Sequence, residues 1–232
     1  MHMASSEVRE MSVVAMANHE MRTPLAAIRG FVDMLQRKRA ELSDDEIDEY
    51  LTIISIQTDR LIRLADDLIT VESLDDPERS IEHESIVLVP ALQQLVRELP
   101  GGERVKLRVS ASAPPTIESD ALRLAQVLTN LLTNALKYSE ADVTIEAEAG
   151  GEGSVAISVI DHGIGIPDDE RDRVFEPFYR TAEGARSAEG SGLGLAIARA
   201  FVIALGGDIA ALPTPGGGTT LRVRLPVHAP AR

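Results

Sequence analysis

The chain has no cysteine and no tryptophan, and aromatic residues fill only 3% of its 232 positions. Without cysteine there is no disulfide framework, no thiolate metal site and no cysteine nucleophile, which suits a reducing compartment. With so few aromatics there is no stacking platform for a single nucleic-acid strand. No apolar run approaches the roughly 20 residues needed to span a bilayer, and no signal-peptide pattern opens the chain. Direct membrane contact is therefore not expected of this stretch. Basic residues are also in short supply: 23 Lys and Arg stand against 37 Asp and Glu, a net charge of −14. That argues against nucleic acid, whose phosphates want a basic stripe. An acidic protein still binds a polyanion such as a nucleotide where backbone amides and a metal ion supply the positive field. Met1-His2-Met3 reads as a cloning remnant.

The length favours two domains, and the pattern changes near residue 77. Residues 5–40 read as one long helix. A second covers 44–72, with Ile47, Leu51, Ile54, Leu61, Leu64 and Leu68 at helical spacing. Ser43-Asp44-Asp45-Glu46 is a capping-box pattern that starts it. The short connection predicts an antiparallel hairpin. Two helices alone cannot enclose a core, so a second copy is expected to complete a four-helix bundle as a homodimer. "SLDDPERS" (73–80) reads as a linker, giving domains at 5–76 and 77–229. Beyond it, Val105/Leu107/Val109, Val143/Ile145/Ala147, Val155/Ile157/Val159 and Leu221/Val223/Leu225 recur with period two. These predict mostly antiparallel strands with one buried face, covered by helices at 90–98, 120–138 and 192–205. The expected fold is an all-α hairpin followed by an α/β two-layer sandwich.

Five stretches carry chemistry. "NHEMRTPLAAI" (18–28) sets a histidine, an acid, an arginine and a proline within one helix. Pro24 removes a backbone bond to the Glu20 carbonyl, so a kink is expected beside His19. Taken alone, His19 reads as a solvated surface histidine. "DALRLAQVLTNLLTNALKYS" (120–139) places Arg123, Gln126, Asn130, Asn134 and Lys137 at spacings of three and four, on one face. Two carboxamide oxygens with a lysine one turn on suit a metal ion and phosphates, although surface helices also contain asparagine. "DHGIGIP" (161–167) follows a strand, with Asp161 as an acceptor and Gly163 and Gly165 permitting close backbone approach; an ordinary turn is the alternative. "EGSGLGLAIARAF" (189–201) leads Gly190, Gly192 and Gly194 into a helix N-terminus that favours phosphate. It is neither a P-loop nor a dinucleotide fingerprint. "GGGTT" (216–220) is a third glycine turn, equally readable as a plain hairpin loop. Between the third of these stretches and the fourth, "RVFEPFYRTAEGARSAEG" (173–190) turns small and charged in its second half, as a lid would, with Phe175 and Phe178 anchoring its start.

In this order the motifs resemble a sensor histidine kinase of a bacterial two-component system, over residues 8 to 226. "HEMRTPL" resembles the phosphoacceptor box, "NLLTNALKYS" the N box, "DHGIGIP" and "GSGLGLAI" the two glycine boxes, and "FEPFYR" the F box. The resemblance implies a dimerising phosphotransfer hairpin and a catalytic domain of the Bergerat ATP-binding type. It makes His19 the phosphoacceptor, Glu20 the base beside it and Thr23 the position that orients water during regulator dephosphorylation. It gives Mg²⁺ to Asn134 and Asn130, phosphate to Lys137, and adenine to Tyr138 and Asp161. Gly163, Gly165, Gly190, Gly192, Leu193, Gly194 and Thr219 would line the ATP site. Arg180 and Arg186 are candidates for phosphate contact or docking on the hairpin. The implied partner is the receiver domain of a response regulator, and the implied location is cytoplasmic, compatible with the soluble core of a membrane-anchored sensor. A Bergerat-type ATPase without phosphohistidine and a non-enzymatic dimeric scaffold are the rival readings; both leave part of the motif set unexplained.

Overall fold

The computed structural model describes residues 3–39, 41–73, 81–187 and 190–229, with side chains assigned from residue 16 onward and not for 71–73. Most of the 73–80 linker reading lies outside the described residues. The chain divides into two compact units, residues 1–72 and 73–232.

The first unit is a helical hairpin of α1 (Met3–Lys38) and α2 (Asp44–Ser73). The helices run antiparallel: Glu20 faces Arg60, and the rings of Phe31 and Tyr50 lie 5.1 Å apart. Ala17 and Leu64 are buried between them. The capping box forms as the sequence predicts. Ser43 N–H and Oγ both donate to Glu46 Oε2 at 2.8 Å, and Glu46 N–H returns to Ser43 Oγ at 3.3 Å. Those bonds hold the Glu46 carboxyl below its ordinary range. Helix α1 runs unbroken through Pro24, which is buried. On α2, Leu51, Ile62 and Ile69 are 51%, 55% and 65% exposed. Their spacings of eleven and seven residues put them on one side of the helix, leaving an apolar stripe uncovered.

The second unit is a two-layer α/β sandwich. Its elements are β1 (Glu84–Val87), α3 (Leu88–Glu98), β2 (Val105–Val109), β3 (Thr116–Ser119), α4 (Ala121–Tyr138), β4 (Val143–Gly151), β5 (Ser154–Ile160), α5 (Ala182–Ser187), α6 (Gly194–Ala204), β6 (Asp208–Pro213) and β7 (Thr219–Pro226). The main sheet has order β2-β4-β5-β7-β6, parallel at β2–β4 and antiparallel elsewhere; β1 and β3 form a separate antiparallel pair. Inward residues of the sheet, among them Ile145, Ile157 and Val223, are fully buried beneath Leu128, Leu131 and Leu132 of α4 and Ile197 and Val202 of α6. Each such aliphatic side chain contributes about 1.5–3 kcal/mol of burial. The four strands and three long helices of the sequence reading are present. β1, β3, β6 and α5 are additional: each has six residues or fewer, too short to establish a period. Central β5 also differs from expectation, since Ala156 and Ser158 on its outward side are buried too. Among the described residues, no helix is long and apolar enough to cross a membrane.

Candidate functional site

In the hairpin unit, His19 and Thr23 lie four residues apart on α1, and both are exposed. Glu20, beside His19, is half-buried and faces Arg60 of α2, Oε2 to Nη2 3.7 Å. The acid is thus drawn toward the neighbouring helix, a partnership invisible in a motif confined to α1.

In the second unit, α4 carries the polar stripe beside a buried face of Leu124, Val127, Leu128, Leu131, Leu132 and Ala135. Asp120 caps its start by accepting the Arg123 amide at 2.9 Å. α6 lies antiparallel to it, with the Arg123 guanidinium 4.7 Å from the Phe201 ring centre at one end. At the other end Asn130 Nδ2 donates to the Gly194 carbonyl at 3.0 Å, tying the N-box helix to the second glycine loop and leaving Asn130 Oδ1 as an acceptor. One turn on, the half-buried Asn134 carboxamide makes no hydrogen bond among the described residues. Carboxamide oxygens are ligands that a hard divalent cation accepts, so this pair fits Mg²⁺.

Asp161 directly follows β5 and is buried. Its Oδ1 accepts the amides of Gly163 at 2.8 Å and Thr219 at 3.1 Å, while its own amide donates to the Thr219 carbonyl at 2.9 Å. Burial pushes the carboxyl above the ordinary aspartate range; the two amides and His162 offset part of that. The third glycine turn is therefore more than a hairpin loop. Gly218, at φ +103°, abuts the backbone of Asp161 and His162, where a Cβ would collide. His162 Nδ1 bonds the Gly217 carbonyl at 3.1 Å. Gly163 in turn packs on the Tyr138 carbonyl at the end of α4, with no room for a Cβ.

The second glycine loop closes against the F box. Phe178 is held at φ +63°, a left-handed backbone rare for a bulky residue, and its amide donates to the Gly192 carbonyl at 2.9 Å. Gly192, at φ +72°, fits because a Cβ there would sit 2.8 Å from the Phe178 backbone. Leu193 is fully buried and serves the core; Gly194 begins α6, whose first amides lack intrahelical partners. Lys137 Nζ lies over the Tyr138 ring at 4.8 Å and beside Gly190. Tyr138 lies against Gly184 of α5. Arg180 uses its guanidinium within the loop, Nη2 donating to the Gly184 carbonyl at 2.9 Å and Nη1 to that of Gly190 at 3.2 Å. Arg186, on α5, is exposed and makes no ion pair among the described residues.

The structure thus gathers Asn130, Asn134, Lys137, Tyr138, Asp161, Gly163, Gly190, Gly194 and Thr219 around one end of the α4/α6 layer. Residues 10–77 match the family described as "His Kinase A (phospho-acceptor) domain", and residues 119–229 match "Histidine kinase-, DNA gyrase B-, and HSP90-like ATPase". The chain is also 34% identical over 220 residues to the sensor histidine kinase WalK of Bacillus subtilis strain 168. It belongs to the histidine kinases. That alignment covers 92% of this histidine kinase and 36% of WalK. A second relative, the sensor histidine kinase RcsC of Escherichia coli strain K12, is 30% identical over 93% of the chain and 23% of its own length. The chain thus spans about a quarter to a third of these two relatives. Among solved structures, full-length ShkA in complex with AMPPNP aligns with TM-score 0.67 and 28% identity, over 96% of this chain and 47% of that one. ThkA, solved with the response regulator protein TrrA, shares the fold at TM-score 0.74 and 24% identity, over 97% and 64%.

Proposed function

We propose that this histidine kinase moves the γ-phosphoryl group of ATP to His19 and from there to an aspartate of a response regulator. The observation that carries the reading is the pairing, in one chain, of an exposed histidine in a phosphoacceptor box with an ATPase-type unit whose Asn134 carboxamide has no protein partner among the described residues. ShkA, of the same family, is solved with the ATP analogue AMPPNP, which supports the choice of nucleotide.

In this reading Asp161 and Tyr138 hold the adenine, Lys137 and the α6 amides hold phosphate, and Asn134 with Asn130 Oδ1 hold Mg²⁺. Bound there, the cation neutralises charge on the phosphates. The protein's own part is positioning and electrostatics. One ring nitrogen of His19 attacks the γ-phosphorus, the bond to the β–γ bridging oxygen breaks, and ADP leaves. The proton on the other ring nitrogen is balanced by Glu20, as acceptor or as counter-charge. An aspartate oxygen of the regulator then displaces the histidine, and Thr23 orients water when the regulator is dephosphorylated. Leu193 and Gly192 shape the loop, and Arg186, exposed on α5, remains free to meet phosphate. Arg180 acts through the loop it binds. The domain limits proposed are 5–76 and 77–229. The α2 stripe is proposed to pair with its copy in a homodimer.

Incubation with γ-labelled ATP and Mg²⁺ tests this directly. The expected product is an acid-labile, base-stable label on the chain, lost in His19→Gln. Label that persists in that variant removes the assigned acceptor, and hydrolysis without label favours a plain ATPase.

A further inference from the structure

Helix α4 ends without the usual means of ending a helix. The last carbonyls of an α-helix need partners from outside it, and a left-handed glycine commonly supplies the geometry. Here the residue after the last turn is Ser139 in extended conformation, φ −126° and ψ 133°, followed by Glu140, Ala141 and Asp142. The Ser139 amide still donates to the Ala135 carbonyl at 3.1 Å, and the Leu136 carbonyl together with the two cap-segment carbonyls that follow the helix is held by Arg104, at the entry to β2. Its Nη2 donates to the Ser139 carbonyl at 2.6 Å and the Ala141 carbonyl at 2.9 Å, and its Nη1 to the Leu136 carbonyl at 3.3 Å. A planar guanidinium holds several acceptors in fixed relative positions, which a lysine cannot do. Its charge also complements the negative end of the helix dipole.

That last turn is a junction. Lys137 and Tyr138 belong to it, and Asn134 immediately precedes it. The Tyr138 carbonyl bears directly on Gly163 of the first glycine loop, Lys137 Nζ lies beside Gly190 of the second, and Tyr138 meets Gly184 of α5. We infer that Arg104 is a positioning residue of the nucleotide site: by fixing the end of α4 it sets the Asn134, Lys137 and Tyr138 side chains against both glycine loops. The role rests on the nucleotide-binding reading above. Lys106, the next outward residue of β2, pairs with Asp142 at 2.6 Å but bonds none of the helix carbonyls. It is the natural control.

The test is calorimetric titration of the folded full chain with AMPPNP in excess Mg²⁺, alongside melting curves and amide exchange over residues 134–141. Arg104→Lys keeps the charge and loses the fork. It is expected to weaken AMPPNP about tenfold, the worth of charge-assisted bonds, and to accelerate exchange in that segment. Lys106→Ala is expected to bind as the parent does. Arg104→Ala is expected to weaken binding at least as much; if it does not fold, Arg104→Lys decides. A lower melting temperature with unchanged affinity in Arg104→Lys assigns a purely structural role and overturns the inference, as does unchanged exchange. If the parent chain binds no AMPPNP, the function reading itself falls, and the exchange result still decides whether the clamp exists.

Discussion

Asp161 sits under two opposed influences. Burial raises its carboxyl above the ordinary aspartate range, and the Gly163 and Thr219 amides hold it partly down. A raised folded value means that the folded chain keeps this proton to higher pH than the unfolded chain. The associated stability is complete below the unfolded value of about 3.9 and is lost as pH rises through the folded value. Relative to Asp161→Asn, which has no such proton, the parent is therefore expected to be more stable in acid than at neutrality. Urea midpoints of both proteins from acid to neutral pH check this; a difference that is flat, or grows with pH, contradicts it. The ionised form is also the better acceptor for an adenine amino group, so AMPPNP affinity is expected to fall as the carboxyl protonates. Residue identity alone pointed to Asp161, Asn134 and the glycines. It did not reveal that Arg180 serves loop carbonyls or that Leu193 serves the core, because those depend on which neighbours folding brings within reach.

At the scale of elements, long periodic segments were legible and short ones were not. α2 and α4 repeat an apolar face over many turns, and Ser43 with Glu46 marks a start that the bonds bear out. β6 and α5, with six residues each, carry too few positions for a period to emerge. Pro24 tests how an element works. A proline leaves the Glu20 carbonyl without its helical donor, and Pro is about 3 kcal/mol worse than Ala in a helix interior, yet α1 continues through it. Pro24→Ala is expected to raise the melting temperature of the hairpin and to alter autophosphorylation or regulator dephosphorylation rates. Faster melting, or rates unchanged in both reactions, counts against a bend at this position.

For the whole molecule, the uncovered stripe of Leu51, Ile62 and Ile69 matters most. A lone hairpin exposing such side chains forgoes about 1.5–3 kcal/mol for each, so a second copy is the economical cover. Sedimentation at micromolar concentration is expected to show a dimer, and Ile62→Glu, which sets a charge in the middle of the stripe, is expected to shift it toward monomer. A monomeric parent removes the homodimer from the proposal. The two relatives are longer than this chain, which spans 36% of one and 23% of the other.

The sequence by itself determined the order of motifs, the helical hairpin, the sandwich that follows and the family, because each depends on local periodicity or on residue types at fixed spacing. Tertiary structure alone decided which donors hold the candidate residues within each unit: Arg60 on Glu20 in the hairpin, and in the sandwich Asn130 on Gly194, the third glycine turn on Asp161, and Arg104 on the end of α4. Those pairings join residues between about 30 and 65 positions apart, and polar contacts that cross such spans are set by packing rather than by any pattern along the chain.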